Sequence, residues 1–209
     1  MKKIIFLFTL LLLINLCPKV LAQNPSEEIV EKGWFSSEEY NPNKTVTRAD
    51  AIKLLMRMAI NLPDPTSNVH NFADTIHHPD KQFINKARYY GVIRGGKLNR
   101  FDPTQPITKA ELVVWMDYIF SLPDTVDFNN HLAKDIQKTG DGETFYAINK
   151  YLAHEIVTVD GNGNFHPNAP IKMSELAIIA ERMDGVGIKN LKPVQYEGQK
   201  QKQKILEPR

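Results

Sequence analysis

The sequence is poor in the features that staple, cross or catalyse. It has a single cysteine, Cys17, so no intramolecular disulfide framework is possible and packing alone must hold the fold. It has no Gly-rich phosphate loop and no His-Glu-x-x-His pair for zinc. After the N-terminal region no apolar run is long enough for a bilayer, which takes about 20 residues. Charge is nearly balanced, 26 Lys and Arg against 24 Asp and Glu. The small positive excess comes from Lys2, Lys3 and Lys19 and from a Lys-rich C-terminal stretch, leaving the middle mildly acidic. A basic nucleic-acid-binding face is therefore excluded.

What is present begins with an export pattern. Lys2 and Lys3 precede an apolar run from Ile4 to Leu16, and Val20-Leu21-Ala22 forms a small-residue cleavage site before Gln23. Leu16 is large where a lipobox wants a small residue, which argues against lipidation of Cys17. Residues 1–22 are thus read as a signal peptide, and the mature chain as a protein outside the cytoplasm with no membrane span.

An internal repeat organises the remainder. Tyr40-Asn-Pro-Asn-Lys-Thr-Val-Thr-Arg-Ala-Asp50, Phe101-Asp-Pro-Thr-Gln-Pro-Ile-Thr-Lys-Ala-Glu111 and Phe165-His-Pro-Asn-Ala-Pro-Ile-Lys-Met-Ser-Glu175 align at offsets of 61 and 64 residues. Each is followed by apolar residues at helical spacing: Ala51, Leu54, Leu55, Met58; Leu112, Trp115, Met116, Ile119; Leu176, Ile179, Ala180, Met183. A second helix precedes two of these loops, carrying Phe83, Ile84, Ala87 and Arg88, and Ala147, Ile148, Tyr151 and Leu152. Before the first loop, Ser26 to Gly33 reads as a shorter version capped by Ser26 and stopped by Gly33. The fold class expected is all-α: three helix-loop-helix repeats sharing one core, because a single helix pair cannot cover its own apolar stripe. The boundaries read as 23–66, 67–126 and 127–187, with Leu62-Pro-Asp-Pro65 and Leu122-Pro-Asp124 as linkers. Residues 188–209 form a flexible basic tail.

These loops, with Phe72-Ala-Asp74 and the Gly91-Val-Ile-Arg-Gly95 turn, resemble the S-layer homology repeat. The resemblance spans about residues 24–187. It implies three tandem units in a pseudo-threefold bundle, with ligand grooves between neighbours. It further implies a non-catalytic role, namely non-covalent attachment to the cell envelope. The partner would be an anionic secondary cell-wall polysaccharide, sometimes bearing pyruvate ketals, or peptidoglycan. Envelope proteins are further possible partners.

Thr47 with Asp50 and Thr108 with Glu111 have the spacing of capping boxes. The next residue in each, Arg48 or Lys109, puts a cation in the first turn, where it opposes the helix dipole. That placement makes sense if an anion docks there, as the resemblance implies, with Arg48 and Lys109 meeting a glycan carboxylate. The alternative is that both are solvated or engaged in internal ion pairs. Arg94, Gly95 and Gly96 are expected to line the approach, with Gly permitting close backbone contact. Asp74 either orients sugar hydroxyls or orders its loop. The third loop departs from the pattern: Lys172 replaces the Thr cap and Met173 replaces the cation, so Lys172 would have to supply the charge.

Other motifs carry less. Asp160-Gly-Asn-Gly-Asn164 begins like a calcium loop but has Phe165 and Ile171 where Gly and Glu are needed, so it reads as a turn. His77, His78, Asp74 and Asp80 lack a metal-binding spacing. Asp141 and Glu143 lack a third catalytic partner. Trp115 lies on an apolar stripe and reads as core, whereas Trp34 fits core or surface. No cofactor is expected. The rival to envelope attachment is a degenerate bundle acting as a cell-surface structural or protein-interaction adaptor.

Overall fold

A computed structural model describes residues 25–59, 62–65, 71–94, 97–120, 122, 132–137 and 142–186. The expected signal peptide and basic tail lie outside these residues. The described chain forms six α-helices: α1 (Pro25–Glu31), α2 (Arg48–Met58), α3 (Lys81–Tyr89), α4 (Lys109–Ile119), α5 (Glu143–Ala153) and α6 (Met173–Gly185), with a 3-10 turn at Lys97–Asn99. Extended pairing among the described residues is limited to isolated bridges between the loops. The fold class is all-α, as the periodicity predicts.

The apolar stripes explain why these segments are helical. Every stripe residue expected on α2, α4 and α6 is buried, and each fully buried Leu, Ile or Met contributes roughly 1.5–3 kcal/mol. On the shorter helices Ile84, Ala87, Ala147, Ile148 and Tyr151 are buried, while Phe83 and Leu152 only partly enter the core. Ser26 falls inside α1 and not at its N-cap position. The helix begins one residue earlier, at Pro25, whose fixed φ and missing N–H suit a first helical position.

The short helices do not pack on the long helices that follow them. Instead α3 packs on α2, α5 on α4, and α1 on α6, joining the two ends of the described chain. Each short helix therefore covers the stripe of the preceding long helix. Lys32 at the end of α1 is ion-paired with Asp184 of α6 across this closure.

The loops close a second ring. Arg48 N–H donates to Gln105 O at 2.8 Å, Lys109 N–H to Ala169 O at 3.0 Å, and Met173 N–H to Lys44 O at 2.9 Å. One residue on, Ala49 donates to Pro103, Ala110 to Pro167 and Ser174 to Pro42. The first N–H groups of a helix have no partner within it. Here those of each long helix are satisfied by the next loop, and those of the third return to the first.

All three short helices end alike. Gly33 N–H donates to Val30 O and Trp34 N–H to Ile29 O; Gly91 to Arg88 and Val92 to Ala87; Glu155 to Leu152 and Ile156 to Tyr151. These are Schellman turns, which need a left-handed residue at their second-last position. Gly33 and Gly91 provide it at φ +67° and +73°. In the third turn Glu155 does so at φ +56°, where a side chain is strained.

Candidate functional site

The loop ring brings each long helix's first turn against the next. Thr47 accepts from Asp50 N–H, and Asp50 accepts in return from Thr47 N–H at 3.0 Å, completing the expected capping box. The box at Thr108 is only half made. Thr108 Oγ1 accepts from Glu111 N–H, but the Glu111 carboxylate turns away to form an ion pair with Arg48. The physical reason is competition: a guanidinium from the preceding loop outbids a neutral N–H for the same carboxylate.

The same relation recurs one junction on, where Lys109 Nζ lies 2.7 Å from Glu175. At the third junction Met173 replaces the cation and is fully buried. Asp50 is thereby left to its own Thr47, and Lys44 Nζ joins it at 2.8 Å. Among the described residues Lys172 meets no acidic partner: its Nζ donates to Thr45 Oγ1 at 2.9 Å, and its side chain makes no cap for α6. The internal ion pairs weighed from the sequence are thus present at Arg48 and Lys109.

The two cations differ in what surrounds them. Arg48 donates through Nε to Phe101 O at 2.7 Å, and its guanidinium lies 4.9 Å from the Phe101 ring and 5.0 Å from that of Trp115. Phe101 in turn stacks on Trp115 and on Phe72. Trp115 is core, as expected, and so is Trp34, only 7% exposed.

Lys109 instead stands at the edge of an open groove of about 110 Å³ between α4 and α6. Leu112, Val113, Val157, Phe165 and Ile179 line it, with Glu175 paired to the cation and Arg182 elsewhere on the lining. At the repeat offset Ile179 corresponds to Trp115. The smaller side chain leaves space where the indole fills it under Arg48. Arg182 is anchored through Nη1 to Ile156 O at 3.4 Å.

Asp74 orders its loop. Its two oxygens accept from Phe101 N–H at 2.9 Å and Asp102 N–H at 2.7 Å. Burial opposes ionisation, yet these bonds and Arg100 hold the carboxyl below its ordinary value. Asp135, which the sequence reading missed, does the same for Phe165 and His166 at 2.8 and 2.7 Å. Ala133-Lys-Asp135 lacks the Phe of Phe72-Ala-Asp74, so only the Asp could have flagged it. Glu111 and Glu175 read from the sequence only as the acids that end each repeated motif, since their partners Arg48 and Lys109 lie far along the chain. Arg94 is exposed, whereas Gly95 and Gly96 lie outside the described residues. The Asp160 segment is a turn: Asp160 Oδ1 accepts from Asn162 and Asn164 N–H, each at 2.9 Å. Asp141 lies outside the described residues, and Glu143 accepts from the Tyr118 hydroxyl.

Residues 71–113 and 134–177 match the S-layer homology domain. Each match contains one Asp-ordered loop and the first turn of a long helix. Domains of this type are binding modules that anchor proteins at the cell surface to cell-wall polymers. Comparison with curated proteins finds no match. Among the described residues no helix is long and apolar enough to cross a membrane.

Proposed function

We propose that this chain is an exported, non-catalytic cell-envelope module that holds an anionic cell-wall glycan in the groove beside Lys109. The glycan is a secondary cell-wall polysaccharide, pyruvate-ketal-bearing or otherwise acidic, or peptidoglycan itself. The observation that carries this reading is the open apolar groove with a cation at its edge. An ammonium has three donor protons, and the described residues give Lys109 one acidic partner, Glu175. A glycan carboxylate can therefore join it without dismantling the ion pair. Residues 23–66 act as the first of three repeats, and the closed rings of helices and loops support a pseudo-threefold bundle. Arg48 serves a second site of the same kind, with Thr47 and Thr108 beside it and Arg94 at its approach, once an anionic ligand displaces Glu111 from the guanidinium. Lys172 and Asp74 support their junctions, Asp74 by ordering the loop that carries Phe101.

A second reading is favoured by one observation. Arg48 is spoken for by Glu111, Phe101 and Trp115, and Met173 removes the third cation, so two of three junctions offer little to an anion. On that reading the bundle is a cell-surface structural or protein-interaction adaptor.

Co-sedimentation with cell-wall sacculi, before and after stripping their secondary polymers, separates these readings. Binding that is lost on stripping and weakened about tenfold by Lys109→Ala supports the groove and a secondary polymer. Binding that survives stripping but not the substitution moves the ligand to peptidoglycan. A folded protein that sediments with neither preparation favours the adaptor.

A further inference from the structure

Five large apolar side chains are exposed among the described residues: Ile76, Leu98, Leu132, Ile178 and Val186. Leu132 and Val186, 40% and 46% exposed, share one open depression of about 710 Å³. Leu152, Val157 and Val159 complete its apolar lining, and exposed Glu155 and Thr158 are among its polar residues. A contiguous apolar patch bordered by polar groups marks a contact surface. Three stretches far apart in sequence build it, and each is fixed by hydrogen bonds. Leu132 N–H donates to Asn149 Oδ1 at 3.0 Å, Val157 N–H to Tyr151 O at 3.3 Å and Val186 N–H to Arg182 O at 3.2 Å. The surface is preformed.

Val186 is also where the chain leaves α6, as the C-cap of that helix. The residues that follow lie outside the described ones, but they set out from the edge of the depression. Gly187 comes first, and a glycine directly after a C-cap commonly turns the chain back in a left-handed conformation. The sequence then runs Ile188-Lys-Asn-Leu-Lys-Pro-Val194, apolar at every third position. Pro193 opposes a helix through this stretch and biases Lys192 toward an extended backbone. A polyproline-type strand turns once in about three residues and rises ~3.1 Å per residue, which aligns Ile188, Leu191 and Val194 on one side over ~19 Å. Lys189 and Lys192 share the same spacing on a neighbouring side. Residues 199–204 alternate Gln and Lys and have nothing to bury.

We propose that residues 188–194 turn back from α6 and cover this depression, packing Ile188, Leu191 and Val194 against Leu132, Leu152, Val157 and Val159. Lys189 and Lys192 then come beside Glu155, whose carboxylate supplies the complementary charge. The tether selects this occupant over a second copy of the chain. A segment joined to the patch through one glycine has an effective concentration of roughly millimolar or more, which a separate molecule in dilute solution does not match. The first part of the expected basic tail thereby belongs to the bundle, and only the Gln- and Lys-rich part extends into solvent. The contact does not depend on what Lys109 binds.

Disulfide trapping in the full chain tests this, with Cys17→Ser as background so that the introduced thiols stand alone. The pair Leu132→Cys and Asn190→Cys is oxidised mildly in dilute solution, once with the natural segment and once with Ile188→Ser, Leu191→Ser and Val194→Ser. Both versions have the same tether, so chance encounter is equal in the two. The natural segment should close an intrachain disulfide about tenfold faster than the Ser version, because docking adds to the effective concentration that the tether alone provides. The Ser version should also bind more of a fluorescent apolar dye, although it carries fewer apolar residues, because the depression is uncovered. Equal helical circular dichroism confirms that both are folded; if Leu132→Cys perturbs it, Thr158→Cys takes its place in the pair. Equal closure rates for the two segments overturn the proposal. Disulfides that form only between chains overturn it as well, and assign the patch to a second copy.

Discussion

Arg48 takes the Glu111 carboxylate out of its own helix cap. The pair joins residues 63 positions apart, and it converts what would have been a local helix-start signal into a link between two loops. The consequence is an asymmetry among three similar junctions, and it can be measured.

Thr47 closes a complete box, and its hydroxyl also donates to Asp50 Oδ2 at 2.7 Å. Thr108 has only the forward bond. Thr47→Ala should therefore cost about 1–2 kcal/mol and Thr108→Ala about 0.5–1 kcal/mol, within the range for lost N-caps. Urea unfolding midpoints at constant m-value give both numbers. Equal losses would mean that the half-made box is as strong as the complete one.

Arg48→Ala removes an ion pair, a hydrogen bond to Phe101 O and two ring contacts, for an expected loss of about 2 kcal/mol. Arg48→Lys should recover less than half, because a point charge keeps the pair but not the planar stacking. In a double-mutant cycle with Glu111→Ala the coupling should be only ~0.5–1 kcal/mol, since both partners retain solvent contact.

Lys53 is 8% exposed and is ion-paired with Glu39 and with Asp80, the latter at 2.9 Å. Burial of Glu39 opposes its ionisation, but Lys53, Ser36 N–H and Arg57 outweigh this and hold the carboxyl at about 2, against an ordinary 4.5. A folded-state value below the unfolded one stabilises above the unfolded pKa, and the benefit is lost as pH falls toward the folded value. Stability should thus be nearly flat between about pH 7 and pH 5 and fall from about pH 4.5 down to 2. Glu39→Gln should shallow that fall, measured by melting temperature against pH. The lowered carboxyls of Asp74 and Asp135 add to the same acid limb.

Asp74→Ala leaves two backbone N–H groups without their acceptor and should cost about 2 kcal/mol. Asp135→Ala is expected to cost less, because its side chain lies nearer solvent. Hydrogen exchange should locate the damage, with Phe101 and Asp102 amides losing protection in the first variant and those of Phe165 and His166 in the second.

Glu155→Gly should raise stability by about 0.5–1 kcal/mol, the relief of left-handed strain exceeding the entropy that glycine adds to the unfolded chain. A loss of stability would show that the carboxylate makes a compensating contact.

The sequence by itself determined the helices and their buried faces. Residues within one turn fix the spacing of Leu54, Leu55 and Met58 or of Leu176, Ile179 and Ala180, and local periodicity suffices to read them. It also marked Arg48 and Lys109 as cations at helix starts, and the Met173 departure in the third loop. Only the tertiary structure decided their partners, because Glu111 and Glu175 come from the next loop in a closed ring. The ring likewise decided that each short helix covers the preceding long one. Packing volume made the last distinction: Trp115 fills the space under Arg48, while Ile179 leaves the groove beside Lys109 open. No local signal carries that difference, since it depends on side chains that meet only after the ring has closed.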